Sequence, residues 1–135
     1  PLWSRGLGDV YKRQVFSMYV TNLVLKHLMK NGGLKRYYEL SRQKSTTIYD
    51  IIDDSKGFYT CKIDKDARSR MNVTFNLASK ELEGEFVKKA ADIKIDGVKG
   101  HRSVGGIRAS LYNAVTMEDV NVLADFMKSF QSDHE

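Results

Sequence analysis

Apolar residues at intervals of three and four mark two helices in the first half of the chain. The first helix has one apolar face over residues 16–28 and stops at residues 31–33, Asn-Gly-Gly, because these residue types tolerate the left-handed conformation of a helix end. The second is predicted over residues 34–55 from an apolar side with the same period. Its length exceeds that of the average globular helix, which is typical of a strut that connects two domains.

The second half of the chain alternates between short strands and helices. A period of two over residues 71–77 predicts a half-buried strand. Three further strands are predicted over residues 58–63, 93–98 and 107–112. Ser79 is placed to cap one helix, and Thr116 with Asp119 resembles a capping box at the start of the last helix. This order predicts an α+β layer, in which helices cover one face of an antiparallel or mixed sheet.

Residues 1–14 do not match the rest of the chain. Their sequence, PLWSRGLGDVYKRQ, contains the only Trp and the only Pro and shows no clear helical or strand period. It resembles the translated adapter read-through found at the ends of assembled sequence fragments. We therefore expect a non-native segment here and base the prediction of the fold on residues 15–135.

Composition changes this picture little. The chain has 135 residues, of which 41% are hydrophobic and 29% charged, as in ordinary soluble domains. No apolar run is long enough to span a membrane and no signal peptide is visible, so no membrane association is expected. The single cysteine, Cys61, cannot form an internal disulfide, which favours a reducing, cytoplasmic location. Cys61 is interpreted as a structural thiol within a strand.

The net charge of +5 is mild and scattered along the chain. It does not by itself indicate nucleic-acid binding, and no nucleic-acid partner is expected. It suits small anionic substrates instead. No set of His, Cys, Asp and Glu has the spacing of metal ligands, so no metal site is predicted.

A glycine-rich basic segment is the most unusual stretch of the chain. Residues 97–110 read GVKGHRSVGGIRAS and place His101 and Arg102 between glycines, with Arg108 on the strand that follows. Glycine lets the backbone turn tightly or approach a ligand closely. Guanidinium groups bind carboxylate and phosphate through paired, charge-assisted hydrogen bonds. Because Arg108 belongs to the polar side of its strand, the three side chains could converge on one dianionic ligand.

The spacing alone is also compatible with a simpler interpretation. In that alternative the segment is a basic surface loop, in which Arg102 is solvated and Arg108 forms a surface ion pair. The glycines match neither the Walker nor the Rossmann pattern for phosphate binding. The choice between a ligand site and a surface loop stays open on these residues alone.

A longer stretch of the chain resembles a known family. Residues 100–114, GHRSVGGIRASLYNA, resemble the C-terminal signature of phosphoserine aminotransferases. The flanks resemble the same family: the strand that begins SRMNVTF at residues 69–75, the end of a long helix at residues 48–53, and the closing helix at residues 124–127. The resemblance runs in register over residues 15–135.

The resemblance implies the small C-terminal domain of a fold-type-I pyridoxal-phosphate transferase. Residues 15–56 would then form the end of the large domain and the connecting helix, and residues 57–135 the small domain. The implied enzyme is a cytoplasmic homodimer. It transfers an amino group reversibly between glutamate and 3-phosphohydroxypyruvate, giving phosphoserine and 2-oxoglutarate in serine biosynthesis. Its cofactor in the full-length protein is pyridoxal 5'-phosphate.

The family's functional residues match three positions of this chain. Arg108 matches the arginine that holds the α-carboxylate of the substrate. His101 and Arg102 match residues near its distal anionic group, across the subunit interface. The family's Schiff-base lysine and most cofactor contacts lie upstream, and Lys99 does not match the lysine's motif. The resemblance thus implies no catalytic and no cofactor-binding residue in this chain, which we expect to be inactive alone.

The chain departs from the family at two places. A Thr-Pro pair that precedes the first helix in the family is replaced by Lys12-Arg13-Gln14, which supports a foreign segment. Thr74 stands where the family commonly has proline.

Two other functions remain as alternatives: a different fold-type-I pyridoxal-phosphate aminotransferase, or a non-enzymatic anion- or RNA-binding α+β domain. The mild charge and the absence of interleaved aromatic and basic residues in the sequence disfavour the last.

Overall fold

The structure is a computed structural model that describes residues 2–101 and 103–134, with side chains described from Val15 onward. The chain separates into two compact units, one up to Tyr38 and one from Glu39 onward. This boundary lies inside the second helix. The domain boundary proposed at residue 57 and the foreign origin of residues 1–14 concern the complete protein, and both stay predictions.

The first unit consists of helix α1 (Leu2–Lys30) and the start of α2 (Gly33–Asp54). The helix over residues 16–28 is thereby confirmed, although α1 is longer than predicted. The predicted break is also confirmed, because Gly32 and Gly33 have φ of +97° and +61° and the Asn31 side chain donates to the carbonyl of His27 at 2.8 Å. Large apolar side chains of this unit are exposed; they include Phe16, Met18, Tyr19, Leu25, Met29 and Leu34.

The second unit is built on a three-stranded antiparallel sheet in the order β1-β3-β2. Its strands are β1 (Asn72–Phe75), β2 (Lys99–His101) and β3 (Gly105–Ser110). The strands predicted around residues 71–77 and 107–112 are therefore confirmed. Phe75 of β1 pairs with Ile107 of β3, and both side chains are buried. The residues that alternate with them along the two strands face away from the core.

The strand predicted over residues 58–63 is wrong. Only Thr60 pairs there, through two backbone hydrogen bonds to Asn76 of 2.8 and 2.9 Å. Backbone N–H groups that a strand would use for pairing are instead hydrogen-bonded to the residue that follows α2. Ser55 accepts the N–H of Phe58 on its carbonyl at 3.0 Å and the N–H of Tyr59 on its hydroxyl at 3.0 Å. A 3₁₀ turn, Lys65–Ala67, then leads toward β1.

The strand predicted over residues 93–98 is also wrong, because these residues first complete helix α3 (Lys80–Asp92). Lys94 adopts a φ of +65° and donates its N–H to Ala91, while the N–H of Ile95 returns to Ala90. This pattern is a Schellman motif, which satisfies the last carbonyls of a helix. Gly97 then turns the chain with φ of +75°, so that pairing begins only at β2.

Three helices cover the buried face of the sheet. They are α3, whose cap is the predicted Ser79, α4 (Met117–Ser132), whose predicted capping box is present, and the later part of α2. An edge-to-face series of rings fills the space between sheet and helices. Phe86 lies 5.8 Å from Phe75 and 5.1 Å from Phe130, centroid to centroid. The predicted α+β layer of a sheet covered by helices is thus confirmed.

A buried lysine joins α2 to the segment that follows β3. Lys44 is 3% exposed, and its ammonium donates to the carbonyls of Leu111, Tyr112 and Val115 at 3.1, 2.8 and 3.1 Å. Three acceptors match the three N–H bonds of an ammonium group. Burial lowers the pKa of Lys44 below its ordinary value. The exit of β3 is therefore fixed by hydrogen bonds from a helix more than sixty residues earlier in the chain.

A salt bridge ties the end of α2 to the entrance of β1 and predicts a pH dependence. Arg68 donates to both carboxylate oxygens of Asp53 at 2.8 and 2.9 Å and lies 4.6 Å from the Tyr49 ring centroid. Its hydrogen bonds, more than the weaker contact from Lys65, lower the pKa of Asp53 from 3.8 to about 2. A lowered folded-state pKa gives stability that is full above the unfolded-state value and is lost as the pH falls toward about 2.

We therefore expect Asp53→Asn to lower the thermal midpoint at pH 7, and the difference from the wild type to shrink between about pH 4 and pH 2. Circular dichroism melts across that range measure it. Asp54→Asn is the matched control, because Asp54 lies on the same helix and forms no ion pair with Arg68 among the described residues. A difference that stays constant down to pH 2 would show that the carboxylate charge of Asp53 contributes nothing.

Candidate anion-binding site

Glycines shape the connection between β2 and β3. Gly105 and Gly106 have φ of +77° and +73°, in the left-handed region that favours glycine. A Cβ on Gly100 would lie 2.1 Å from the Gly105 carbonyl oxygen and 2.6 Å from that of Gly106. The two strands can therefore approach this closely only because glycine stands at position 100.

A hollow of about 250 Å³ lies at this bend. His101 and Arg108 both line it, and Lys62 adds a third basic residue to the lining. The remaining contributors include Gly100, Gly105 and Asn76. Of the three residues singled out from the sequence, the structure brings two to one hollow. Arg102 lies outside the described residues.

The strand register alone would separate His101 from Arg108. His101 pairs with Gly105, in the same row as the buried Ile107, whereas Arg108 pairs with Thr74 in the alternate row. In a regular sheet these two rows point to opposite faces. The two left-handed glycines interrupt the regular pleat at the start of β3, where the hollow is found. The shared hollow thus depends on the bend and not on strand alternation.

The environment of Arg108 suits an anionic ligand. Its side chain is half-buried, and its Nε is fully buried with no hydrogen-bond partner among residues 15–101 and 103–134. A buried donor without an acceptor is costly, so an oxygen of a ligand or of a water molecule at this nitrogen would stabilise the site. The backbone at this point is firmly held, since Arg108 donates its N–H to Val98 at 2.7 Å. The surface ion pair of the simpler interpretation is not found in the described part of the chain.

Arg108 also lines a second and larger hollow, of about 580 Å³, between the end of α3, the edge of β3 and the start of α4. Its lining mixes apolar residues with both signs of charge, among them Lys94, Asp96 and Asp119. Mixed charge makes this hollow less suited to a dianion than the smaller one, whose ionisable lining residues are all basic.

His101 is exposed and oriented by its neighbour. Ser103 donates its backbone N–H to Nδ1 of His101 at 3.3 Å, and the Ser103 hydroxyl lies 2.8 Å from the same nitrogen. The contact identifies Nδ1 as an acceptor and leaves Nε2–H to donate to a ligand. The role of His101, Arg102 and Arg108 in substrate binding stays a prediction at this point.

Two residues near the site were not identified from the sequence. Glu83 of α3 accepts hydrogen bonds from the N–H of Gly106 and from the side chain of Asn76. No sequence signal identifies it, because it is one of several charges on an amphipathic helix. Lys44 lies three residues after Ser41 and four before Ile48 on the buried side of α2, but this spacing does not show which groups its ammonium contacts.

Gly106 should tolerate no side chain. We expect Gly106→Ala to destabilise the protein by about 2 kcal/mol or more, because the left-handed conformation alone costs an L-residue about 1–2 kcal/mol. In addition, the new Cβ would lie 2.6 Å from Asn76 Nδ2 and 2.9 Å from the Phe75 oxygen. Gly84→Ala is the control, since Gly84 is helical with nothing within 4 Å of the added atom. Urea denaturation should show that Gly84→Ala is neutral or stabilising; equal losses would refute the assigned strain.

Two features are absent from the described residues. No cluster of three or more His, Cys, Asp or Glu side chains that could hold a metal ion occurs among them. Within the same residues, no helix combines the length and the apolar character needed to cross a membrane.

Comparison with protein families identifies one model that matches most of the chain. The family is described as aminotransferase class-V, and the match covers residues 12–123. The match includes α2, the sheet, α3 and the glycine bend with both described site residues.

Individual relatives are similar over nearly the same region. The phosphoserine aminotransferase of Bacillus subtilis is 52% identical over 120 residues, which are 89% of this chain and 33% of that protein. The solved phosphoserine aminotransferase from Bacillus circulans subsp. alkalophilus matches at a TM-score of 0.86 with 49% identity, over 89% of this chain and 33% of that one. A pyridoxal-phosphate-bound phosphoserine aminotransferase from Trichomonas vaginalis matches at 0.77 with 35% identity, over 84% and 32%. The chain thus spans about a third of the length of the proteins it matches.

Proposed function

Because the chain belongs to the class-V aminotransferase family, we propose that it is the C-terminal part of a phosphoserine aminotransferase. The complete enzyme would exchange an amino group between glutamate and 3-phosphohydroxypyruvate, and so form phosphoserine and 2-oxoglutarate. The observation that carries the proposal is the hollow that His101 and Arg108 share, beside the buried Nε of Arg108, which has no hydrogen-bond partner among the described residues.

Arg108 is assigned to the α-carboxylate of the substrate. Its guanidinium offers a planar fork of donors that matches a carboxylate in a bidentate manner. The strand and the backbone hydrogen bond to Val98 hold its Cα in place. A carboxylate fixed at one end orients the Cα–H bond of an amino acid for proton removal.

His101 and Arg102 are assigned to the phosphate at the other end of the substrate. His101 can donate from Nε2 while Ser103 occupies Nδ1. Arg102 follows directly in the sequence and supplies a permanent positive charge. Cations at both ends of the site would favour a substrate with two anionic groups over a simple amino acid.

The described residues do not fit the cofactor itself. Lys44, the only buried lysine among them, already donates to three carbonyls and is not available for a covalent link. In the proposed enzyme, pyridoxal phosphate supplies the electron sink for amino transfer, and residues outside this chain hold it. We assign the chain's own residues to substrate binding alone.

The family resemblance adds a homodimeric assembly and a cytoplasmic location to the proposal. In a homodimer, His101 and Arg102 would lie near the subunit interface, and a phosphate group could be bound from both subunits. Light scattering on the chimera described next measures the assembly. A monomer with full activity would contradict the proposed interface role.

A chimera tests the activity of this chain directly. Residues 15–135 replace the matched third of the Bacillus subtilis relative, which supplies the remaining two-thirds. We expect amino transfer from phosphoserine to 2-oxoglutarate, and none from the 135-residue chain alone. A folded chimera that binds pyridoxal phosphate but has no such activity would contradict the proposal.

Selectivity for phosphate tests the role of Arg102. In the chimera, Arg102→Ala should lower kcat/KM for 3-phosphohydroxypyruvate by about tenfold or more, and lower it far less for an unphosphorylated keto acid. Lys99→Ala removes the same charge from an exposed position on β2 and should change neither value by more than about twofold. Equal losses for both keto acids in Arg102→Ala would refute the assignment.

A further inference from the structure

A carboxylate from α3 stands at the start of the strand that carries Arg108. Glu83 accepts the Gly106 N–H on Oε2 at 3.2 Å and the Asn76 side-chain amide on Oε1 at 3.1 Å. Both contacts are partly buried. A negative charge next to a hollow for anions would by itself weaken anion binding. The two hydrogen bonds that the carboxylate accepts indicate a structural role beside the site instead.

The two contacts of Glu83 act on the glycine bend. Positive φ at Gly105 and Gly106 turns the peptide that joins them, and its N–H is donated to the carboxylate instead of to a neighbouring strand. Asn76, whose backbone pairs with Thr60, brings the end of β1 to the same carboxylate. Glu83 lies in the first turn of α3, where the helix dipole favours a negative charge. The bend is thus held from one rigid helix.

We propose that Glu83 is a positioning residue for the anion site. By fixing the bend, it sets the place of His101, which pairs with Gly105, and of Arg108, which follows Gly106 by two residues. The inference rests on the proposed function, because it assigns the two basic residues to one ligand. Glu83 itself does not touch the substrate.

Removing the carboxylate should disturb the bend, whereas replacing it by an amide should leave the bend nearly unchanged. Glu83→Ala leaves the Gly106 N–H and the Asn76 amide without an acceptor. Glu83→Gln keeps an acceptor for Gly106, and its NH₂ group can donate to Asn76 once the Asn76 amide turns over. The amide therefore serves as the conservative rescue. Glu85→Ala is the control, because Glu85 is an exposed residue of the same helix whose ion pairs, within the described part of the chain, are with Lys89 and His134.

The experiment uses the full 135-residue chain and two measurements by NMR. Hydrogen exchange of the Gly106 and Arg108 amides reports the bend, and a titration with inorganic phosphate reports the anion site. We expect Glu83→Ala to speed exchange of these amides about tenfold or more and to weaken phosphate binding about tenfold or more. Glu83→Gln and Glu85→Ala should both stay within about threefold of the wild type.

Several results would overturn the assignment. Unchanged exchange at Gly106 in Glu83→Ala would show that the carboxylate does not hold the bend. Exchange that rises uniformly over the sheet and helices would show a general structural role only. Tighter phosphate binding in both Glu83→Ala and Glu83→Gln would show that Glu83 acts as a repelling charge.

The same two measurements distinguish a failure of this inference from a failure of the proposed function. A wild-type chain that gives no phosphate shifts at His101, Gly105 or Gly106 counts against the anion site, and so against the proposed function. The exchange rates of Gly106 then decide alone whether Glu83 holds the bend.

Discussion

Arg108→Ala in the chimera should lower kcat/KM for phosphoserine by about a hundredfold to ten-thousandfold. The reason is that a bidentate guanidinium–carboxylate contact consists of two charge-assisted hydrogen bonds, each worth about 1.5–3 kcal/mol. The effect should be large because the Nε of Arg108 is buried and no other described residue hydrogen-bonds to it. Arg108→Lys keeps the charge but loses the fork, so it should still lose about tenfold or more. Steady-state kinetics with both substrates measure these ratios.

The pattern of losses for Arg108 distinguishes a substrate contact from a general defect. Because every amino-acid substrate carries an α-carboxylate, kcat/KM should fall for glutamate as well as for phosphoserine, unlike the selective loss expected for Arg102. Arg42→Ala is the control, since Arg42 is 61% exposed and pairs with Glu39 on the surface of α2. It should change kcat/KM by no more than about twofold. Normal kinetics in Arg108→Ala would remove the basis of the proposed site.

Lys44→Met should cost about 3 kcal/mol or more of unfolding free energy. Methionine has a similar shape but offers no donor, so three carbonyls at the exit of β3 lose their hydrogen bonds in a buried place. The loss concerns the segment directly after the strand of Arg108, and we expect activity of the chimera to fall together with stability. Urea denaturation of the 135-residue chain gives the free energy.

The matched control for Lys44 is Lys35→Met, the same replacement on the same helix. Lys35 is exposed, and its change should stay within about 0.5 kcal/mol. Lys44→Arg should recover part of the loss, because a guanidinium has donors for the same carbonyls but a different shape. If Lys44→Met were as stable as Lys35→Met, the three carbonyls would have found other partners. The hydrogen bonds of Lys44 would then contribute nothing to the free energy of unfolding.

Periodicity and the glycine pattern were sufficient to predict the strand that carries Arg108 and the bend beside it. The period of two placed Arg108 on the polar side of a strand, and its buried neighbours Ile107 and Ala109 confirm that pattern. The glycines around His101 predicted a tight bend, and Gly105 and Gly106 indeed have left-handed backbones. These features are local, so that a few neighbouring residues determine them.

The two wrong strands failed for a different physical reason. Around residues 58–63 the apolar alternation is present, but Ser55 captures the backbone N–H of Tyr59, and no periodicity records such a contact. Around residues 93–98 a lysine, Lys94, takes the left-handed position that glycine usually takes at a helix end. In both cases the end of a helix forms hydrogen bonds with backbone groups that strand pairing would require.

The contacts that position the site come from distant parts of the chain and could not be predicted. Glu83 reaches Gly106 across 23 residues, and Lys44 reaches Leu111 across 67. Each is a charged residue on an amphipathic helix, where the usual expectation is a solvated side chain. Only the packing of the helices on the sheet shows that their charges are directed inward.

A crystal structure of the chimera with phosphoserine bound tests the central claim most directly. We expect both oxygens of the ligand's carboxylate within about 3 Å of the Arg108 guanidinium, and its phosphate beside Nε2 of His101 and the side chain of Arg102. The account would be contradicted if Arg108 pointed into the larger hollow toward Asp119, with the ligand held elsewhere and no contact to His101.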